Sequence, residues 1–242
     1  MDNLTLISCS YNTPDVTVNM LKTFLQFHPN CNILISENST DDVTRNLLES
    51  VKIPYINNKK GLHAPSVDIL LDNVSTRYAL LVDTDILFLK EQTDLFVNFK
   101  KMNLTLLGDV CGDRGGKRLH NRVHPWHCMI NVENIKKNNI KFYDESRLIN
   151  KGGVEYDVGS SFFEDIRKCK LMIGDIKGEG EYYKHYEGMS WRVQRYGEQD
   201  GDINTSTSAT HNLKGLYEYG LMVQKMYKDE TQHLDKTPLK YK

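Results

Sequence analysis

Two aspartates a residue apart, Asp83 and Asp85, stand at the end of the apolar run Tyr78-Ala79-Leu80-Leu81-Val82, and a second apolar run, Ile86-Leu87-Phe88-Leu89, follows at once. A continuous apolar run of this kind reads as a strand buried on both faces, so the pair is delivered where that strand ends. Burying unpaired carboxylates this close together costs several kcal/mol each unless a cation compensates. The pair therefore points to a metal or a cationic partner. Hard oxygen ligands suit Mg2+ or Mn2+, which keep coordination positions open for substrate phosphates. The competing reading is a solvated turn that caps the next segment, and the apolar runs on both sides argue against it.

The elements that position this pair alternate. Residues 4–9 form a short apolar run ending in Ser10-Tyr11-Asn12, after which Thr13 and Pro14 predict a helix start with a capping hydroxyl and a first-turn proline. Val16, Met20, Leu21, Phe24 and Leu25 give that helix one apolar face. Residues 32–36 read as a second strand, Glu37-Asn38-Ser39-Thr40-Asp41 as its exit loop, and Val43, Leu47, Leu48 and Val51 as a helix face. Residues 54–56 read as a short third strand, 57–61 as a polar loop and 65–71 as a helix leading into the acidic stretch. This alternation predicts an α/β fold with a mostly parallel central sheet flanked by helices. Ligands of such sheets bind beyond the carboxyl ends of the strands, where the loops at 10–12, 37–41 and 83–85 all fall. No Gly-x-Gly-x-x-Gly follows the first strand and no Walker lysine is present, which disfavours a dinucleotide site and a P-loop.

The second half is less regular. A helix is expected at 94–101 and a strand at 104–108. Residues 111–124 carry Arg114, Lys117, Arg118 and Arg122 against Asp113, and read as a mobile basic loop, either an ordinary solvated loop or a lid over an anionic ligand. A strand at 126–131 carries His124, Pro125, Trp126 and His127 at its start, and a helix at 132–138 turns away. A carboxylate-bearing loop at 152–157, a helix at 162–168 and a final core strand at 171–176 follow. Aromatic residues surround His185 within 182–191, a polar loop at 197–210 precedes His211, and the tail from Gln224 reads as a solvated helix or an extended end.

A chain of 242 residues can bury one sizeable core. With 31 basic and 32 acidic residues it offers no global attraction for nucleic acid or an anionic membrane. Its apolar runs fall short of a membrane span and the N-terminus leads directly into a strand pattern, so no transmembrane segment and a cytoplasmic location are expected. The five cysteines lack any Cys-x-x-Cys spacing, so free and mostly buried thiols are expected rather than a disulfide framework or a zinc site.

In their order and spacing, Ser10-Tyr11-Asn12, Glu37-Asn38-Ser39-Thr40-Asp41 and Leu81-Val82-Asp83-Thr84-Asp85 resemble the first-strand exit, the second loop and the Asp-x-Asp motif of the GT-A glycosyltransferases, over roughly residues 4–190. Glu37 stands where that family often has aspartate, and Asn38-Ser39 lacks its usual glycine. The resemblance implies a single Rossmann-like domain, with residues 1–108 the nucleotide-sugar-binding half, 109–215 the acceptor-side half and 216–242 a tail. It implies transfer of a sugar from a nucleoside diphosphate sugar, with uridine the expected base, to a hydroxyl of a glycan or related acceptor, assisted by Mn2+ or Mg2+. On this reading Ser10, Tyr11, Asn12, Glu37, Asn38, Ser39, Lys60, Gly61, Asp83 and Thr84 face the donor. Asp85 binds the metal directly, Asp83 bonds metal or ribose, and His185, or alternatively His211, completes the coordination. Asp157, with Glu155 in reserve, falls where the family's acceptor-side acid lies and would serve as base in an inverting transfer. His124, Trp126 and His127 belong to the acceptor side, although Trp126 and Trp191 suit core packing as well as sugar stacking.

For residues 37–41 the plain alternative is a helix cap with Ser39 or Thr40 at its head. One rival class is a phosphatase of the haloacid dehalogenase type, whose motifs Asp83-Thr84-Asp85 and Gly108-Asp109-Val110-Cys111-Gly112-Asp113 mimic. Leu87 stands where that family wants threonine or valine, and the two segments are too close together. The other rival is a non-catalytic module that binds sugar nucleotides or glycans on the same fold.

Overall fold

The computed structural model describes residues 2–111, 122–147, 158–186, 189 and 213–241. Its first half follows the alternation: β1 (Leu4–Ser10), α1 (Pro14–Phe27), β2 (Asn32–Glu37), α2 (Val43–Ser50), β3 (Tyr55–Asn57), α3 (His63–Asn73) and β4 (Tyr78–Val82). After these come β5 (Ile86–Phe88), α4 (Thr93–Lys101), β6 (Leu106–Cys111), β7 (Arg122–Asn131), α5 (Val132–Lys137), α6 (Ser160–Lys168), β8 (Ile173–Asp175), β9 (Tyr183–His185) and α7 (Leu213–Thr231). The main sheet has the order β3-β2-β1-β4-β7-β6-β8. Its first four strands are parallel, and β7 then runs antiparallel to both β4 and β6. This is the α/β architecture that the patterning predicts, with the irregular part toward the C-terminus.

β4 lies at the centre, and all its residues are buried. Leu80 and Val82 join Leu6, Met20, Phe24 and Phe96 on one face of the sheet, while Leu81 joins Ile7, Val67, Leu70 and Ile130 on the other. Each such side chain contributes about 1.5–3 kcal/mol by leaving water. A charge at Leu81, which is fully enclosed, would therefore break the sheet at the strand that ends in the acidic pair.

Several expectations change. Pro14 does open α1, but the Thr13 hydroxyl makes no capping bond; its carbonyl instead accepts from Thr17 N at 3.0 Å and Thr17 Oγ1 at 2.9 Å. Neither Ser39 nor Thr40 caps α2, because both are tied to Asn12, and Asp41 Oδ1 accepts from Val43 N at 3.0 Å. Arg122, Val123 and His124 are strand residues rather than loop: Val123 and Arg122 pair with Val110 and Cys111, and the Arg122 guanidinium donates to Val158 O at 3.1 Å. That bond gives the buried guanidinium a partner inside the strand. Arg114, Lys117 and Arg118 lie outside the described residues.

Residues 173–175 form an edge strand, half-exposed, not a core strand. The tail also differs. In α7, Val223 and Tyr227 recur at a helical spacing and pack with Val16, Leu87, Tyr186 and Leu234. Beyond it Lys22 Nζ donates to Leu234 O at 2.8 Å, and Ile33 N donates to Tyr241 Oη at 3.3 Å. The end of the chain is thus folded against α1 and β2. The cysteines are free, with Cys9, Cys31 and Cys128 buried. No described helix is long and apolar enough to cross a membrane.

Candidate functional site

β4 delivers Asp83 at its carboxyl end, where Asp83 N donates to Trp126 O at 3.1 Å and carries the β4–β7 ladder one residue past the strand. Asp85 is held by different means. β5 leaves the main sheet and pairs antiparallel with β9, in a register that sets Ile86 opposite His185. Tyr186 N donates to Asp85 O at 2.9 Å, and Met189 N donates to Asp85 Oδ2 at 3.3 Å. This two-stranded ribbon brings His185 Nε2 to 3.3 Å from Asp85 Oδ1. One ligand atom each of Asp83, Asp85 and His185 then lies within 4.8 Å of the others. The side chains of Asp85 and His185 are 6% and 5% exposed, whereas that of Asp83 is 28% exposed, so the cluster opens on the Asp83 side.

A second histidine completes the constellation: His63 Nε2, at the start of α3, lies 3.3 Å from Asp83 Oδ1. Burial alone would raise the Asp83 carboxyl, but the bond from His63 and the charges of His63, His185 and His124 outweigh it and hold the group below its ordinary value. Burial alone would likewise lower both imidazoles. The bond to Asp83 and the charges of Asp83 and Asp85 instead raise His63, and the bond to Asp85 with the charges of Asp85, Asp83 and Glu179 raises His185. Two carboxylates and an imidazole, mutually within reach, fit a divalent ion with mixed oxygen and nitrogen ligands.

The loops expected to face the donor are knitted into one another. Asn38 N donates to Ser10 O at 2.8 Å, Lys60 N to Asn38 O at 2.9 Å and Asn58 N to Glu37 O at 3.0 Å. Glu37, Asn38 and Ser39 are almost wholly enclosed. Glu37 Oε1 accepts from Ser39 N at 2.9 Å and its other oxygen lies 3.2 Å from Arg45 Nε; Asn38 bonds Ser36 and Ser66; Ser39 Oγ accepts from Asn12 N at 2.9 Å. Ser10 Oγ is spent on Thr17 Oγ1 at 2.8 Å. The side chains of Ser10, Glu37, Asn38 and Ser39 therefore hold loop to loop. Tyr11 and Lys60 remain exposed and Asn12 half-exposed. Asn12 and Lys60 both adopt left-handed backbone conformations, φ 51° and 63°. A side chain at Gly61 would collide with Asn58, so glycine keeps this turn tight. Thr84 is buried between the two aspartates.

On the other side, the His124 ring stacks on Trp126 at 3.5 Å between centroids, and Trp126 meets the His185 ring at 4.6 Å. Both predicted aromatic residues thus flank the acidic cluster. His127 does not. It is buried against Tyr183, with ring centroids 4.3 Å apart, and its Nε2 lies 3.0 Å from Gln92 Oε1. Asp157, Glu155, His211 and Trp191 lie outside the described residues. The sequence reading missed His63, although it closes the polar loop after the third strand and the carboxyl-end rule covers that position.

No protein-family model matches the chain, and neither does any curated protein. Solved structures do. Staphylococcus aureus TarS 1–349 in complex with UDP superposes with a TM-score of 0.54 at 15% identity, over 98% of this chain and 75% of that one. The longer S. aureus TarS gives 0.55 at 14% identity, over 98% of this chain but 46% of that one. The mannosyltransferase PcManGT from Pyrobaculum calidifontis, in complex with GDP-Man and Mn2+, gives 0.54 at 10% identity, over 94% of this chain and 75% of that one. Likeness at these identities concerns the fold, and the fold is GT-A.

Proposed function

We propose that the chain is a metal-dependent glycosyltransferase that moves a sugar from a nucleoside diphosphate sugar to a hydroxyl acceptor. The observation that carries this is the convergence of Asp83, Asp85 and His185 at the carboxyl end of β4 in a GT-A fold. Asp85 and His185 would hold the ion, and Asp83, on the open side, would share it or bond the ribose. Bound there, the ion would neutralise charge on the departing diphosphate. Imidazole among the ligands favours Mn2+ over Mg2+, and the similar mannosyltransferase carries Mn2+. UDP is the preferred nucleotide because a TarS structure of this fold holds it, with GDP the alternative from the mannosyltransferase.

The chain's own residues divide the remaining work. Tyr11, Asn12 and Lys60 present the exposed donor edge, and the knit beneath them keeps that edge rigid. His63 bonds Asp83 and orients it. Asp157, or Glu155, is assigned the base that deprotonates the acceptor in an inverting transfer. Residues 1–108 would serve the donor, 109–215 the acceptor. Against the phosphatase reading, its first motif segment follows β4 and Gly108 to Cys111 of its second lie in β6, with β7 between them, and Asp109 is ion-paired to Lys177.

Calorimetry with UDP and Mn2+, on the natural chain and on Asp85→Ala, tests the proposal. Binding that requires the metal and is lost in the variant is expected; metal-independent or absent binding sinks it. Retained binding without turnover of any sugar nucleotide would favour the non-catalytic module.

A further inference from the structure

A cleft of about 220 Å³ opens beside the acidic cluster, between the β7–β9 side and α7. Its two walls differ in chemistry. One carries Trp126, His185 and Glu179; the other carries Tyr219, Met222 and Met226. The latter three recur at helical spacing on α7, next to the stripe of Val223 and Tyr227 that packs into the protein. They are 42%, 49% and 42% exposed, a continuous soft apolar strip left facing the cleft. Lys184, at the rim, is paired with Glu230.

Resting on the transferase reading above, we infer that this cleft is an acceptor subsite for an apolar aglycone, the alkyl or aryl group attached to the sugar that receives the transfer. His185 belongs to both the acidic cluster and the cleft wall, so an occupant of the cleft is held beside the reacting centre. A sugar ring buried against α7 would leave hydroxyls facing thioethers and methyl groups, and unbonded buried hydroxyls are costly. An alkyl or aryl group has no such requirement, and methionine side chains adapt to irregular apolar shapes. The volume, equal to about seven waters at ~30 Å³ each, suits a short chain or a single ring. The polar wall then receives the sugar to which that group is attached.

The test is calorimetry on the protein with UDP and Mn2+ bound, titrated with methyl, phenyl and octyl β-D-glucoside, the last below its micellar concentration. The inference expects phenyl or octyl glucoside to bind at least tenfold more tightly than methyl glucoside, with a negative heat-capacity change; whichever is tighter names the aglycone as aryl or alkyl. In the double variant Met222→Gln/Met226→Gln, which keeps side-chain length and helix propensity, the preference should shrink to less than threefold at an unchanged melting temperature. Equal affinity for the three glucosides, or a preference that survives in the double variant, overturns the subsite while UDP binding leaves the transferase reading in place. An apolar preference in a protein that binds no UDP with Mn2+ overturns the transferase reading, and with it the acceptor role.

Discussion

Two sets of histidines are driven in opposite directions. His28 and His127 are buried and their rings hydrogen-bond neutral groups: Gln92 N donates to His28 Nε2 at 2.9 Å, and Gln92 Oε1 lies 3.0 Å from His127 Nε2. Burial lowers His28 to about 4 and His127 to about 3. His63 and His185 are also opposed by burial, yet the carboxylates of Asp83 and Asp85 raise both. The residue type is the same and the partner decides. A neutral amide makes the first set part of the core, whereas paired carboxylates make the second set part of the charged cluster that the proposed function assigns to a cation.

The contrast breaks most sharply at His185. His185→Ala should cut turnover about 1,000-fold, about 4 kcal/mol of transition-state stabilisation, and weaken Mn2+ binding, and it should also lower stability because it leaves buried Asp85 without its partner. His127→Ala should spare the metal. It strips Gln92 Oε1 of its partner and Tyr183 of its stacked ring, and should cost about 2–4 kcal/mol of stability, read from urea denaturation, with Mn2+ affinity preserved in the folded fraction. Equal effects of the two substitutions on metal binding would erase the distinction.

The two sets also oppose each other in pH. His28 and His127 are neutral when folded and protonate near 6.5 when unfolded, so the unfolded chain binds more protons and stability falls as pH drops from about 6.5 toward about 4. Each group can contribute up to about 2 kcal/mol of loss by pH 5. His63 and His185, being raised, contribute stability that is present below 6.5 and lost as pH rises through their folded values. Urea midpoints at pH 7.5, 6 and 5 should show a shallower acid loss in His127→Gln than in the natural chain. The smallest effect belongs to His63→Gln, which keeps a donor toward Asp83 and should lower turnover no more than about tenfold, about 1.4 kcal/mol; a larger loss would move His63 from orienting Asp83 to contacting substrate.

The first half of the molecule was readable because its order is local. β1 and β2 are apolar runs each followed by a helix with its own stripe, β3 is a short strand before α3, and the acidic pair marks the central strand β4 by being out of place at its end. What escaped depends on distant pairing. β5 and β9 have three residues each, too few for a periodicity, and exist because they pair. Arg122 reads as loop until Val158 O is there to receive it. Polar side chains at 37–39 look like ligand contacts in sequence, and only the bonds to Asn12, Ser36, Arg45 and Ser66 turn them inward. His63 was marked only by its place after the third strand, since its partner lies twenty residues on, in Asp83.

The β5–β9 ribbon also limits how this chain can vary. Its register sets Ile86 against His185 and Leu87 against Lys184, and strand faces alternate with every residue. Inserting one residue into the loop before β9, with the strand positions held, would bring Lys184 into the histidine's place opposite Ile86. An ammonium would then meet the two carboxylates, a tethered cation that neither exchanges nor leaves coordination positions for phosphate. Length changes in that loop are thus tolerable only where the ribbon keeps its frame.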